Sequence, residues 1–219
     1  MYSPSWWNGG GDGGGECGVP TARRFRVPAN GNGVFWYSFE TANVHVTMIS
    51  SEHDPTPGSP MGEWLEEDLL GVDRDVTPWL ILGIHRPLVE TEKYAGDAAV
   101  ANGLRSILEP LLLRAKVDAV LSGHYHSFQR SCSMANLKCV TPGSGEHGIV
   151  HITSGAAGMG LDAVSLYPSD YIENTIMGKY GYSIIEAPNS TALGLLFYEN
   201  TDDPHAPVLA DSVWMVRDA

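Results

Sequence analysis

The chain has 219 residues, 43% of them hydrophobic, with a formal net charge of −13 and a pI of about 4.8. That is enough chain for one large core, or for one domain with a small appendage, and the composition is that of an ordinary globular protein. The acidity argues against gripping nucleic acid through its phosphates, and no apolar run approaches the length of a membrane helix; a small phosphate ester stays open, because a local metal cluster overrides the global sign.

Met1 to Trp7 has neither a basic n-region nor an apolar h-region, so it does not read as a signal peptide. Residues 4–33 are rich in Gly, Trp, Asn and Pro, with a glycine-rich run at 9–15, and show neither helical nor strand period. A domain rarely opens on so long an irregular stretch. It reads as a loop between two elements, the first of which is absent. The run lacks the GK[ST] ending of a phosphate-binding loop.

Val34 to Phe39 and Val44 to Ser50 read as strands joined by the turn Glu40-Thr41-Ala42-Asn43. Gly62 to Leu70 reads as a short amphipathic helix. Trp79 to Ile84 is continuously apolar, as expected of a strand buried on both faces in a parallel sheet. Ala98 to Leu108 reads as a helix, with Pro110 starting another. Val117 to Ser122 is a second buried strand, which makes a β-α-β unit with parallel strands. Ile149 to Ser154, Gly181 to Ala187, Ala192 to Tyr198 and Ser212 to Val216 alternate more and lack long helices between them, so they read as antiparallel strands.

Three histidines follow the two buried strands: His85 after the first, His124 and His126 after the second. In extended backbone, side chains at i and i+2 point the same way, so His124 and His126 form a pair. Adjacent strands lie about 4.8 Å apart, and ligands bind at the carboxyl edge of open α/β sheets. Neutral imidazole is a common ligand for zinc, iron and copper. Singly, each His reads as a surface or capping residue; together they point to a metal site. Cys132 and Cys139 enclose a short polar loop that suits a local disulfide in a secreted protein, the alternative being two free thiols; Cys17 is left over. Asn189-Ser190-Thr191 is an N-glycosylation sequon, meaningful in a secreted protein.

The stretch Gly123 to Arg130 resembles the GHxHxYxR motif of purple acid phosphatases, in the calcineurin-like metallophosphoesterase superfamily, and His85-Arg86-Pro87 resembles that family's HRP motif. Trp6 to Gly18, Phe35 to Asp54 and the closing DSVWMVRDA are also similar to it. The resemblance implies an α/β fold: a partial sandwich of two mixed sheets flanked by helices, of the four-layer type, with N-terminal strands missing. It divides the chain into residues 1–145, the C-terminal part of the metallophosphoesterase domain, and 146–219, a C-terminal subdomain of mainly antiparallel strands.

It also implies hydrolysis of phosphate monoesters by a metal-bound hydroxide at a dinuclear centre of Fe(III) with Zn, Mn or Fe(II). His85 and His124 match ligands of the divalent metal, and His126 matches a ligand of the ferric ion. Arg86 and Arg130 are candidate phosphate contacts, each with a structural ion pair as the alternative, and His53 is a second-tier candidate near substrate. The family's location is extracellular, secreted or vacuolar.

The departures are large. The family's DxG, GDxxY and GNHE motifs are absent; Asp12-Gly13-Gly14 formally reads DxG but follows no strand and lies in the wrong order. Phe128 replaces the motif's Tyr and Gln129 its Glu, and Ala95 stands where some members carry a substrate-binding His. The alternative reading is a catalytically silent, truncated remnant that binds at most one divalent metal or acts as a scaffold.

Overall fold

The computed structural model describes residues 18–28, 30–203 and 205–217. The glycine-rich run, Asp12 and Cys17 lie outside the described residues. A short helix, α1 (Val19–Arg24), opens the described chain inside the stretch expected to be irregular, with a Pro in its first turn where a missing N–H costs nothing. Strands β1 (Tyr37–Thr41) and β2 (Val44–Ile49) pair as an antiparallel hairpin with Thr41 opposite Val44. Helix α2 (Pro60–Gly71) starts at Ser59, whose hydroxyl accepts from the Gly62 N–H.

Strand β3 (Trp79–Ile84) is buried at all six positions. It alternates between two cores. Leu80, Leu82 and Ile84 pack on α2 and on α3 (Asp97–Arg114), while Trp79 and Ile81 face the second sheet. The expected break at Pro110 does not occur, and α3 runs through it. The carbonyl that loses its partner belongs to Ser106, and both residues are exposed, so water can satisfy it. Val100, Leu104, Leu108 and Leu112 hold the helix on the sheet, each fully buried Leu contributing about 1.5–3 kcal/mol.

Strands β4 (Ala119–Ser122), β5 (Phe128–Ala135), β6 (Lys138–Cys139), β7 (Ile149–Ser154) and β8 (Ile172–Ile176) complete an eight-stranded mixed sheet in the order β1-β2-β3-β4-β7-β5-β6, with β8 on β5. Against expectation, β7 is parallel to β4 as well as antiparallel to β5, which lies between β4 and β7 in the chain. Strands from both sides of residue 145 thus share one sheet. Cys132 and Cys139 are joined by a disulfide across the β5–β6 hairpin.

The second sheet is antiparallel, β11-β10-β9, from β9 (Gly181–Asn189), β10 (Ala192–Glu199) and β11 (Val208–Val216). Its inner face, Leu195 and Phe197, packs on Ala119, Phe128, Val150 and Ile152, with the Phe128 and Phe197 rings stacked 4.2 Å apart. Its outer face keeps Tyr182, Ile184, Leu209 and Trp214 exposed. Among the described residues, α2 and α3 cover the far face of the large sheet and α1 buries no residue, so the layers seen are helix, sheet, sheet.

Candidate metal-site crevice

The parallel registers set where the chemistry lies. Ile49 pairs with Ile84, Ile84 with Ser122, and Ser122 with Thr153, so β2, β3, β4 and β7 end level. The segments that follow, with Glu52 and His53, His85 and Arg86, and the Gly123–Ser127 turn, leave the same carboxyl edge. The start of α3 returns to it, because Asp97 meets His124.

The Gly123–Ser127 segment is a tight turn, not the extended backbone expected. His124 has φ 69°, in the left-handed region where a side chain is strained. The turn sits on Gly155, where a Cβ would stand 1.9 Å from the Tyr125 carbonyl oxygen. His124 and His126 are taken up by different partners. His85 and His124 do meet, edge to face, with ring centroids 5.3 Å apart. Nε2 of His124 lies 3.2 Å from Asp97 Oδ2 and 3.3 Å from an Arg86 Nη1. It either donates to the carboxylate or accepts from the guanidinium, so it is engaged in both tautomers. His126 donates Nδ1–H to the Gly160 carbonyl at 2.6 Å. Burial, then the nearby positive charge of His124 and Arg86, hold His85 below the usual imidazole range.

Arg86 donates to Glu52 at 3.0 Å and lies 3.9 Å from Asp97. Arg130 is elsewhere: its guanidinium forks onto Asp211 of the second sheet at 2.6 and 3.1 Å and also binds Glu173. His53 is wedged between the rings of Phe35 and Trp36, with Nδ1 2.8 Å from the Ser50 hydroxyl; burial lowers its pKa.

Sequence reasoning missed the groups that hold these residues. Asp97 could have been found as the acidic residue opening a helix after Gly96. A second set had no local signal. Fully buried Glu92 accepts from Ser127 and Gln129, and Asp162 accepts from the Tyr94 hydroxyl and the His126 N–H. Burial, opposed by the hydrogen bond from Ser127 and reinforced by the Asp162 carboxylate, pushes Glu92 above the usual carboxyl range. Burial also lifts Glu90 to about 7, and the hydrogen bond to Asp162 lifts Tyr94 to about 12.

The donor set does not fit a dinuclear centre. Among the described residues no three His, Cys, Asp or Glu side chains are grouped so as to hold a metal ion. His85, His124 and His126 do not converge, and Asp97, beside His124, is taken up by that ring and Arg86. The expected Fe(III)–M(II) centre, with the iron and zinc it implied and hydrolysis through it, is therefore corrected: the described residues do not assemble it.

The profile of the calcineurin-like phosphoesterase family matches residues 13–128, and that of iron/zinc purple acid phosphatase-like protein C matches 148–206. Purple acid phosphatase 1 of Ipomoea batatas is 33% identical over 211 residues, covering 91% of this chain and 44% of its own length. Probable inactive purple acid phosphatase 9 of Arabidopsis thaliana is 30% identical over 224 residues, covering 92% and 34%. A purple acid phosphatase from yellow lupin (Lupinus luteus) seeds superposes with a TM-score of 0.82 at 27% identity, over 94% of this chain and 37% of the lupin chain. The chain spans less than half the length of these three relatives. A sandwich of this topology, with profiles matched along most of its length, places the chain in the calcineurin-like phosphoesterase family, as a purple-acid-phosphatase-like domain whose metal site is incomplete.

Proposed function

We propose that this chain is a catalytically silent member of its family that binds at most one divalent metal or acts as a scaffold. The observation that carries this is the donor set: a two-metal site clamps both the attacking and the leaving oxygen, and among the described residues no three His, Cys, Asp or Glu side chains are grouped to hold even one ion. The names of relatives support it, since Arabidopsis purple acid phosphatases 9, 1, 27 and 24 are each designated probable inactive. A phosphate ester is kept as the ligand class for the crevice, supported by the phosphatase names of the relatives.

An oxidising compartment, extracellular or vacuolar, is part of this reading, supported by the Cys132–Cys139 bond and by Asn189 exposed at a hairpin turn. The division near residue 145 is kept as a statement of sequence organisation, supported by profiles that match on either side of it.

The test is turnover of p-nitrophenyl phosphate at acidic pH by the purified chain after loading with iron and zinc. We expect release no faster than in the protein-free control, and no more than one metal retained per chain. Turnover at the rate of an intact family enzyme, or two metals retained, overturns the reading.

A further inference from the structure

Away from the crevice, one imidazole is caught between two carboxylates. Alternation along β2 turns Val44 and Val46 toward the second sheet, and His45, Thr47 and Ile49 toward α2. His45 Nε2 lies 3.2 Å from Oδ2 of Asp68 on α2, and Nδ1 lies 3.6 Å from Oε1 of Glu40, the residue directly opposite on β1. Asp68 also accepts from the hydroxyls of Ser38 on β1 and Thr47 on β2, at 2.5 and 2.7 Å. The side chains of His45 and Asp68 are 11% and 10% exposed, that of Glu40 54%. The neighbour on β3, Leu80, is apolar and fully buried, so Asp68 and Glu40 are the charged groups that face the ring. A neutral imidazole carries one N–H. If Nε2–H donates to Asp68, the buried Nδ1 is a bare acceptor facing a carboxylate, and it has no hydrogen-bond partner among the described residues. The other tautomer sets the Nε2 lone pair against Asp68. The doubly protonated ring turns an N–H toward each carboxylate. Burial disfavours that charge, but the hydrogen bond and charge of Asp68, then those of Glu40, outweigh it and hold the ring above the usual imidazole value of 6.5.

We propose that His45 is a proton-operated clamp on strand β1: protonated, it fastens the β1–β2 hairpin to α2, and on losing its proton it loosens the edge of the sheet. β1 is the outermost strand of the large sheet and is paired on one side, by β2. Its ties to α2 are the Ser38–Asp68 hydrogen bond and the Glu40–His45–Asp68 bridge. Directly before β1, the rings of Phe35 and Trp36 flank His53, so the clamp also bears on one wall of the crevice. The folded pKa lies above the unfolded value of 6.5, so the stabilisation is complete below about pH 6.5 and is lost as the pH rises through the folded value. The edge strand is therefore held most firmly in an acidic medium. The clamp is independent of the silent reading, because Glu40, His45 and Asp68 are neither candidate metal ligands nor candidate phosphate contacts.

The experiment uses the full chain. The His45 ring is titrated by proton–nitrogen correlation NMR. Hydrogen exchange of the β1 and β3 amides, expressed as protection factors so that the intrinsic pH dependence cancels, is followed from about pH 5.5 to about pH 9. In wild type, His45 should titrate above pH 6.5, and β1 protection should fall severalfold across that titration while β3 stays protected. His45→Gln should remove the dependence and leave β1 at low pH as weakly protected as wild type is at high pH. Glu40→Gln alters an exposed partner and leaves the Asp68 contacts in place; it should move the ring titration and the loss of β1 protection to lower pH together. If His45→Gln fails to fold, the wild-type and Glu40→Gln profiles decide the matter. A wild-type ring that titrates at or below pH 6.5, β1 protection that stays level across the titration, or a Glu40→Gln chain in which ring and strand no longer shift together overturns the proposal.

Discussion

Arg86 and Arg130 start alike and end differently. Each belongs to a histidine motif at the end of a buried strand, and each is a candidate phosphate contact by sequence. Arg130 sits between the two sheets, 10% exposed, forked onto an Asp211 that is 7% exposed, with Glu173 and Asn174 closing the cluster. Arg86 sits at the open carboxyl edge, 20% exposed, holding a Glu52 that is 40% exposed. Depth and geometry, not residue type, separate a staple between layers from a network around a crevice.

The strongest way to break that comparison is to remove each charge in turn. Arg130→Met should cost about 3–5 kcal/mol, because Asp211 is left buried without its partner. Arg86→Met should cost about 1 kcal/mol, since its partners remain within reach of water. Urea melts of both variants measure the difference, and equal losses would erase it.

The same contrast extends to titration. His151 is 7% exposed and its Nε2 has no hydrogen-bond partner among the described residues; burial, then the charge of Arg105, lower its pKa to about 4. Its folded pKa lies below the unfolded value, so the fold favours the neutral ring. Stability is full above about pH 6.5 and falls as the pH drops toward 4, by about 3 kcal/mol in all. Replacing His151 with Gln should flatten that acid limb in urea midpoints taken across the range. An unchanged slope would mean that the ring is not held neutral by burial.

Strand β5 carries Arg130 and, two residues on, Cys132. Reducing the Cys132–Cys139 bond, which closes a loop of sequence separation 7, should cost about 2 kcal/mol by the loop-entropy relation. The loss should add to that of Arg130→Met if the staple and the hairpin are independent. Strong non-additivity would make β5 a single coupled unit.

Glu90 gives the smallest pH effect. Burial, reinforced by the charge of Asp97, raises it to about 7. The sign is opposite to that of His151: its stabilisation is present below about pH 4.5 and lost as the pH rises through 7. The size is on the order of 1–2 kcal/mol, since the group is only partly buried. Glu90→Gln should remove this limb while leaving the acid limb of His151 in place.

Some of this was readable from the sequence, because it depends on neighbours close in the chain. The all-apolar run Trp79–Ile84 announced a strand buried on both faces, and the Val44 hairpin and the Ser59-capped helix carried their own turn and cap residues. The Gly123–Arg130 and His85–Pro87 motifs carried the family. The missed β5 shows the limit. Its eight residues, FQRSCSMA, have no clear alternation, and burial runs along nearly the whole strand with only Ser133 exposed.

The roles of the site residues were decided only by the tertiary fold. A histidine or arginine presents the same donors wherever it stands, so its role is set by whichever group meets it. Here those groups are distant in sequence: Asp97 lies 27 residues from His124, Asp211 lies 81 from Arg130, and Gly160 lies 34 from His126. Local pattern determined which strands end at the crevice. Contacts across the fold decided that its imidazoles and guanidinium are engaged with one another and with the protein's own carboxylates.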